Sequence, residues 1–327
     1  MLRYLARRLL GYAVLLVLAV SLAYALAATA LDPRSLYELR NPPLDPAAVE
    51  ATLRAYNLSD AVPLAQRYLA WLGGVLTDWD WGRTPAGGSV NEEVGTRVWV
   101  SLRLVSLGCV LGTVAGVALG AWAAARHGRA ADRAVTIASL VVLSTPTLVL
   151  AVVLQILAVR ANQAAGVQLF EFLGETGRHG DGPLAPLGDR LQHLLLPTLT
   201  LAAGQAAFFA RVQRNLVLDT VGASYVRTAR AKGLRRGTAV RRHALRTALI
   251  PTGTYLAFSV AGLVLGSAFI ELVYGWHGMG AYAVEAIAAQ DVHGTVAVAA
   301  FGAVCVLAGA LLSDLLTAAL DPRVRLP

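Results

Sequence analysis

Charge is what this sequence is short of. Asp, Glu, Lys and Arg make up 15% of its 327 residues and apolar residues 56%, where ordinary soluble domains carry roughly a quarter charged. The shortage is also uneven. Six stretches contain no Asp, Glu, Lys or Arg at all: Leu9–Leu31, Leu104–Ala125, Ala134–Val159, Leu191–Ala210, Thr247–Ile270 and Val292–Ser313, each 20 to 26 residues long. A helix rising ~1.5 Å per residue needs about 20 apolar residues to cross a hydrocarbon core of ~30 Å. The pattern predicts an all-α integral membrane protein with six transmembrane helices. A soluble fold would need six buried, uncapped runs about twice the usual helix length.

Other absences narrow the function. The single lysine, Lys232, stands in "RAKGL", so there is no Gly-rich loop ending in Gly-Lys-Ser/Thr and no means of holding a nucleotide triphosphate. There is no His-Glu-x-x-His zinc helix and no Gly-x-Ser-x-Gly elbow. The six histidines (127, 179, 193, 243, 277, 293) are scattered without ligand-pair spacing. No catalytic, cofactor or metal site is expected in this chain. Cys109 and Cys305 fall inside charge-free stretches, away from the exposed loops that carry structural disulfides. Only His193 and His293 place an ionisable group in a span, both near its end. That leaves little for a proton- or ion-driven carrier to work with, and energy for any transport has to come from a partner. A stand-alone secondary transporter and an intramembrane enzyme are the rival classes, and the ionisable or paired catalytic residues that each would need within the spans are missing.

Residues 1–31 begin with Arg3, Arg7 and Arg8 and contain Ala25-Leu26-Ala27, as a cleaved signal does. The apolar run of 23 residues exceeds the ~7–15 of a signal peptide and reads as a retained anchor that forms the first span. Six spans put the N-terminus, 126–133, 211–246 and the C-terminus on one side, with 18 Lys/Arg against four acids; the other side has 10 against 16. Basic loops stay inside, so both termini are expected in the cytoplasm. Residues 32–103 then form an external cap, with Pro33, Pro42, Pro43, Pro46 and Pro63, a helical "LAQRYLAWLGGVL" and an interfacial "TDWDWGRT". The core, 104–327, holds five spans. Gly108, Gly112, Gly116 and Gly120 recur every four residues in the second, and Gly262 and Gly266 repeat the spacing in the fifth. Close helix packing is the expected use of both.

Between the fourth and fifth spans lies a loop, 211–250. Its stretch "YVRTARAKGLRRGTAVRRHALRTALIP" carries eight Lys/Arg and no acid. Anionic lipid attracts each basic residue by ~1 kcal/mol, so lipid contact and topology already account for the charge. Nucleic-acid binding would need a groove-reading or stacking element, which a membrane loop lacks. The order of residues says more. Ser224 is placed to cap a helix of Tyr225–Lys232, Gly233 to stop it in the left-handed region, and Thr238 to cap a second helix before Pro251 opens the fifth span. Tyr225, Thr228, Ala229 and Lys232 share a face suited to another protein's groove.

The stretch "YVRTARAKGL" followed by "RRHALRTALIP" resembles the coupling loop of the permease subunits of bacterial ABC importers, in the oligopeptide/dipeptide/nickel branch. "MLRYLARRLLGYAVLL", "QRYLAWLGG", "HLLLPTLTLA", "GWHGMG" and "ALDPRVR" extend the similarity over almost the whole chain. The resemblance implies a homologous second permease, two cytoplasmic ATPases that bind Mg-ATP, and an extracytoplasmic substrate-binding protein. It implies ATPase docking at Tyr225, Arg227, Thr228, Ala229, Arg230, Ala231, Lys232 and Gly233. Short peptides are the expected cargo, with nickel, glutathione or short sugars as alternatives. In "GWHGMG", Gly278 and Gly280 would free the backbone for an external gate formed with a helix near Ala281–Gln290. A loop that merely covers the bundle is the alternative.

Overall fold

The computed structural model describes residues 2–38, 44–177, 185–239 and 244–320. Pro43, the surroundings of Gly182, the middle of the coupling loop (240–243) and the C-terminal tail lie outside them. The described residues are helical apart from turns and one isolated bridge between Arg83 and Ser89. They fall into two compact units, residues 1–102 with 277–305, and residues 103–276 with 306–327.

The first unit joins α1 (Leu2–Ala30), α2 (Ser35–Glu38), α3 (Pro46–Ala55) and α4 (Leu64–Asp78) to the first turns of α5 (Val90–Ala125), to α12 (Met279–Ala288) and to the start of α13 (Val292–Leu320). The proposed cap is therefore built together with the anchor helix. Its centre is aromatic. Tyr24 of α1 is 1% exposed and stacks on Trp71 with ring centroids 4.9 Å apart, while Tyr68 meets it edge-on at 5.5 Å. Val49 and Leu53 of α3, with Leu58 just beyond it, close the cluster. Asp45 caps α3 by accepting from Ala47 N at 3.0 Å, with Pro46 in the first turn, where its missing N–H costs nothing. Trp79 ends α4 in the left-handed region at φ 54°, which costs a residue with a β-carbon roughly 1–2 kcal/mol. Asn91 offsets this by donating to the Trp79 carbonyl and accepting from Trp81 N at 2.9 Å.

The second unit holds the rest of α5, then α6 (Ala130–Ser144), α7 (Thr147–Ala165), α8 (Ala185–Val221), α9 (Ser224–Ala231), α10 (Arg236–Ala239) and α11 (Leu245–Tyr274). The α5 glycines do what their spacing promised. A β-carbon on Gly108, Gly112, Gly116 or Gly120 would lie 2.5–2.7 Å from an atom of α8: Leu201 Cβ, Gln205 Cβ, the Ala206 carbonyl and the Ala210 carbonyl in turn. The glycines of α11 differ, since nothing lies within 4 Å of a β-carbon at Gly262 or Gly266. Their expected packing role is corrected: they leave a surface open.

Among the described residues, five helices are long and apolar enough to cross a membrane, and α11 makes a sixth if its halves, bent by 47° between Ala257 and Gly262, count as one span. Two prolines sit otherwise than the charge-free stretches suggest. Ala134–Val159 is not one helix, because Pro146 separates α6 from α7: its ring clashes with the preceding turn and it has no N–H to give. α11 begins at Leu245, so Pro251 lies inside it. Gly112→Ala should destabilise the protein by about 1–3 kcal/mol, the usual cost of overpacking, whereas Gly262→Ala should be neutral or stabilising by up to ~1 kcal/mol. Thermal unfolding of the two variants in detergent reads the difference; equal losses would contradict the open surface.

Candidate functional site

The segment expected to couple is an eight-residue helix, α9, whose first residue is Ser224. Ser224 therefore does not cap it. Ala223 occupies the cap with no side-chain bond, and the Ser224 carbonyl accepts from Thr228 Oγ1 at 3.0 Å. Thr238 likewise lies within α10 rather than ahead of a helix. The end of α9 is where glycine is required. Gly233 has φ 91°; its N–H donates to the Arg230 carbonyl at 3.0 Å, and Leu234 N–H donates to the Ala229 carbonyl at 3.3 Å. This pair of bonds, from the first and second residues past the cap to the second- and third-last helical carbonyls, is the Schellman arrangement, and it needs a left-handed residue.

Burial divides α9 into two faces. Val226 and Ala229, three apart, are buried at 1% and 8% exposure. Val226 and Leu234 pack with Ala124 of α5, Val217 and Val221 of α8, and Ala248 of α11. Tyr225, Arg227, Thr228, Arg230, Ala231 and Lys232 are exposed. Ala229 is thus corrected: it is buried within its own chain, and the exposed face runs through Tyr225, Thr228 and Lys232. The apolar pair at 226 and 229 carries this signal in the sequence, under the basic residues that dominate the segment.

Beneath the seat, Asp132 of α6 is held by Arg214 of α8 through Nε to Oδ1 at 2.5 Å and Nη2 to Oδ2 at 2.9 Å, with Gly128 N–H donating at 3.0 Å. The Arg214 guanidinium, followed by the Gly128 N–H, holds the Asp132 carboxyl well below the usual carboxylate range.

Higher on α8 a ladder of uncharged polar contacts reaches α11. Thr252 Oγ1 donates to Gln213 Oε1 at 2.7 Å, Gln205 Nε2 donates to Ser259 Oγ at 2.8 Å, and Thr200 Oγ1 pairs with Tyr274 OH at 2.9 Å. Such bonds hold membrane helices in register where water cannot compete. Beside the ladder lies a groove of about 450 Å³, lined by Thr145 and Thr147 at the α6–α7 break, Gln205 and Phe208 of α8, and Ser259, Gly262 and Gly266 of α11. None of these was legible as a site, because neutral polar residues in a span leave no mark on a charge-based reading.

The gate residues behave otherwise than expected. Gly278 is extended (φ −94°, ψ −171°) at the start of α12, and Gly280 is helical within it; both are buried. Neither uses a conformation reserved for glycine. The left-handed residue that ends α11 is Gly275, at φ 66°. α12 is also pinned: Arg97 of α5 reaches Glu285 at 2.7 Å and lies over the Tyr282 ring at 4.8 Å, and Met279 N–H donates to Ser101 Oγ at 2.7 Å.

Long apolar helices, a neutral polar ladder and a short basic helix rooted on their ends define an integral-membrane transport component. Residues 116–326 match the family described as "Binding-protein-dependent transport system inner membrane component", and the chain belongs to that family as a multi-pass inner-membrane protein. It is 49% identical over 326 residues, 99% of both chains, to the oligopeptide transport system permease protein OppB of Mycobacterium tuberculosis. It is 32% identical to a putative peptide permease protein of Brucella ovis over 333 residues, 99% of both. With the dipeptide transport system permease protein DppB of Bacillus subtilis the identity is 33% over 283 residues, 85% of both. The similarity to ABC importer permeases of the oligopeptide/dipeptide branch read from the coupling loop holds over the full chain.

The Asp132 clamp has a defined pH dependence. A carboxyl whose folded value lies below its unfolded value stabilises above the unfolded one, ~3.9, and loses that contribution as pH falls toward the folded one. Asp132→Asn should therefore lower the unfolding temperature at pH 7, and the gap to wild type should shrink below about pH 4. A gap that stays constant across that range would mean the carboxylate charge is not what holds α6 to α8.

Proposed function

We propose that the chain is the non-catalytic permease subunit of an ATP-driven importer of short peptides. It forms the translocation path with a homologous permease, receives cargo from an extracytoplasmic binding protein, and is driven by two cytoplasmic ATP-binding subunits that carry the Mg-ATP. The full-length similarity to proteins named as peptide permeases supports the cargo class. The observation that carries the coupling is the two-faced α9. On its inner face Ala229 is buried and Val226 packs with the ends of α5, α8 and α11, while its outer face carries Tyr225, Thr228 and Lys232. A partner that displaces α9 displaces those helix ends. The groove beside Gln205 and Ser259, open along the Gly262–Gly266 side, supports a path that a second permease completes. Both termini and α9 are assigned to the cytoplasm by the excess of Lys/Arg on that side.

Two experiments test this. Gly233→Val forces a β-carbon into the left-handed region at roughly 1–2 kcal/mol, far too little to unfold a six-span bundle. It should leave expression and membrane insertion near wild type, reduce ATPase co-purification and abolish uptake of a labelled peptide in vesicles. Neutralising Arg235 and Arg236 together should do much less. If the arginine pair proved essential and Gly233→Val were silent, charge rather than helix shape would be the recognition element.

For orientation, single cysteines are placed in a chain lacking Cys109 and Cys305. A membrane-impermeant thiol reagent should label near Gly87 from outside but not near Arg129. Outside labelling at Arg129 would reverse the assignment.

A further inference from the structure

At the other end of α8, far along the chain from the coupling helix, three ligand-bearing side chains converge. Asp189 and His193 stand one turn apart on α8 at 6% and 3% exposure, and Glu171 reaches them from the segment after α7. One carboxylate or imidazole atom from each lies within 4.8 Å of the other two.

One hydrogen bond orients the imidazole. His193 Nδ1 donates to the Asp189 carbonyl oxygen at 2.9 Å, with Asp189 Oδ1 3.4 Å from the same nitrogen, which leaves Nε2 as the ring nitrogen turned to other partners. That Nε2 makes no hydrogen bond among the described residues and faces Glu171 Oε2 at 3.7 Å. A separation of 3.7 Å is close to that of two ligands on one tetrahedral cation with bonds of about 2.0–2.2 Å.

The surroundings hold the arrangement in place. The Asn162 amide pins the Glu171 segment through both backbone groups of Phe170, at 2.8 and 2.9 Å. Gly177 N–H donates to both Asp189 carboxylate oxygens at 3.0 Å. A β-carbon on Gly177 would stand 2.8 Å from Glu171 Oε2 and 2.9 Å from His193 Cε1, so the chain closes over the cluster as only glycine allows. The remaining side opens on a cleft of about 730 Å³ lined by Glu171, Gly177 and His193.

We propose that Glu171, Asp189 and His193 bind a divalent transition-metal cation of the zinc or nickel type. Two carboxylates balance its charge, the neutral imidazole supplies the nitrogen that borderline cations prefer, and a fourth coordination position faces the cleft. The cation ties the segment after α7 to the first turns of α8. The scattered histidines hid this site, because its signal is an acid and a histidine four apart joined by a remote glutamate.

The test uses the full chain without a histidine tag, co-expressed with its partner subunits, stripped with chelator in detergent and titrated with Co²⁺. Wild type should bind one equivalent with the absorption of a low-symmetry four- or five-coordinate site, displaced by one equivalent of Zn²⁺. Glu171→Gln and His193→Gln should each weaken binding by more than the ~10–100-fold typical of losing a mere supporting group. Glu171 is the less buried partner, so its variant keeps the test open if His193→Gln fails to elute as a single species. No Co²⁺ band in wild type, or bands unchanged in Glu171→Gln, would overturn the proposal. A wild type without Co²⁺ binding in which Glu171→Gln still lowers the unfolding temperature would show an imidazolium ion pair instead, and would overturn it equally.

Discussion

The close approach of α5 to α8 is made by four missing β-carbons, and the second unit is arranged around it. With carbonyls of α8 where β-carbons of α5 would stand, the two backbones meet and dispersion replaces the hydrophobic drive that lipid does not supply. That contact spends one side of α8. Its other sides are then free to carry the polar ladder to α11, the Arg214 bond to Asp132 at one end and the acidic–histidine cluster at the other. A bulkier α5 would push α8 outward and loosen each of these together.

Much of this was legible in the sequence, for a specific reason. Lipid tolerates neither ionised side chains nor unpaired backbone, so charge-free stretches mark helices with few exceptions. They mark only the part that lipid touches. α5 has 36 residues and α8 has 37, far more than the about 20 that span a bilayer, and their charged ends escape a reading built on absence of charge. Pro146 was visible, yet in a stretch of 26 apolar residues nothing local says that it splits rather than kinks. The α5 glycines were readable as contact, whereas the identical spacing at Gly262 and Gly266 signals open space. Spacing alone cannot tell a filled stripe from an empty one, since both need only that side chains be small.

The coupling segment shows the same limit from the other side. Gly233 was legible because only one common residue takes φ 91° without strain. Which face of α9 looks outward was not, because Ala229 is small enough for either. Val226 settles it, being 1% exposed, and the inward face follows by helical spacing. At α12 the two glycines of "GWHGMG" misled, because glycine also serves where a chain is merely crowded. There Arg97 binds Glu285 and covers Tyr282, fixing the helix by charge and ring contact.

Pro197, buried within α8, gives that helix a mechanical property. It cannot donate to the carbonyl one turn earlier, so the ladder of backbone bonds is interrupted once, near the end that bears His193, and runs on to Val221. Those 24 residues amount to a stiff rod of about 36 Å. Tilting such a rod by about 5° about its interrupted turn moves its far tip by about 3 Å, from its length alone. The tip carries Val217 and Val221, on which α9 sits. Read in reverse, a push of a few ångströms on a short surface helix becomes a small rotation at the opposite end of the rod: displacement is traded for leverage, with the proline as fulcrum.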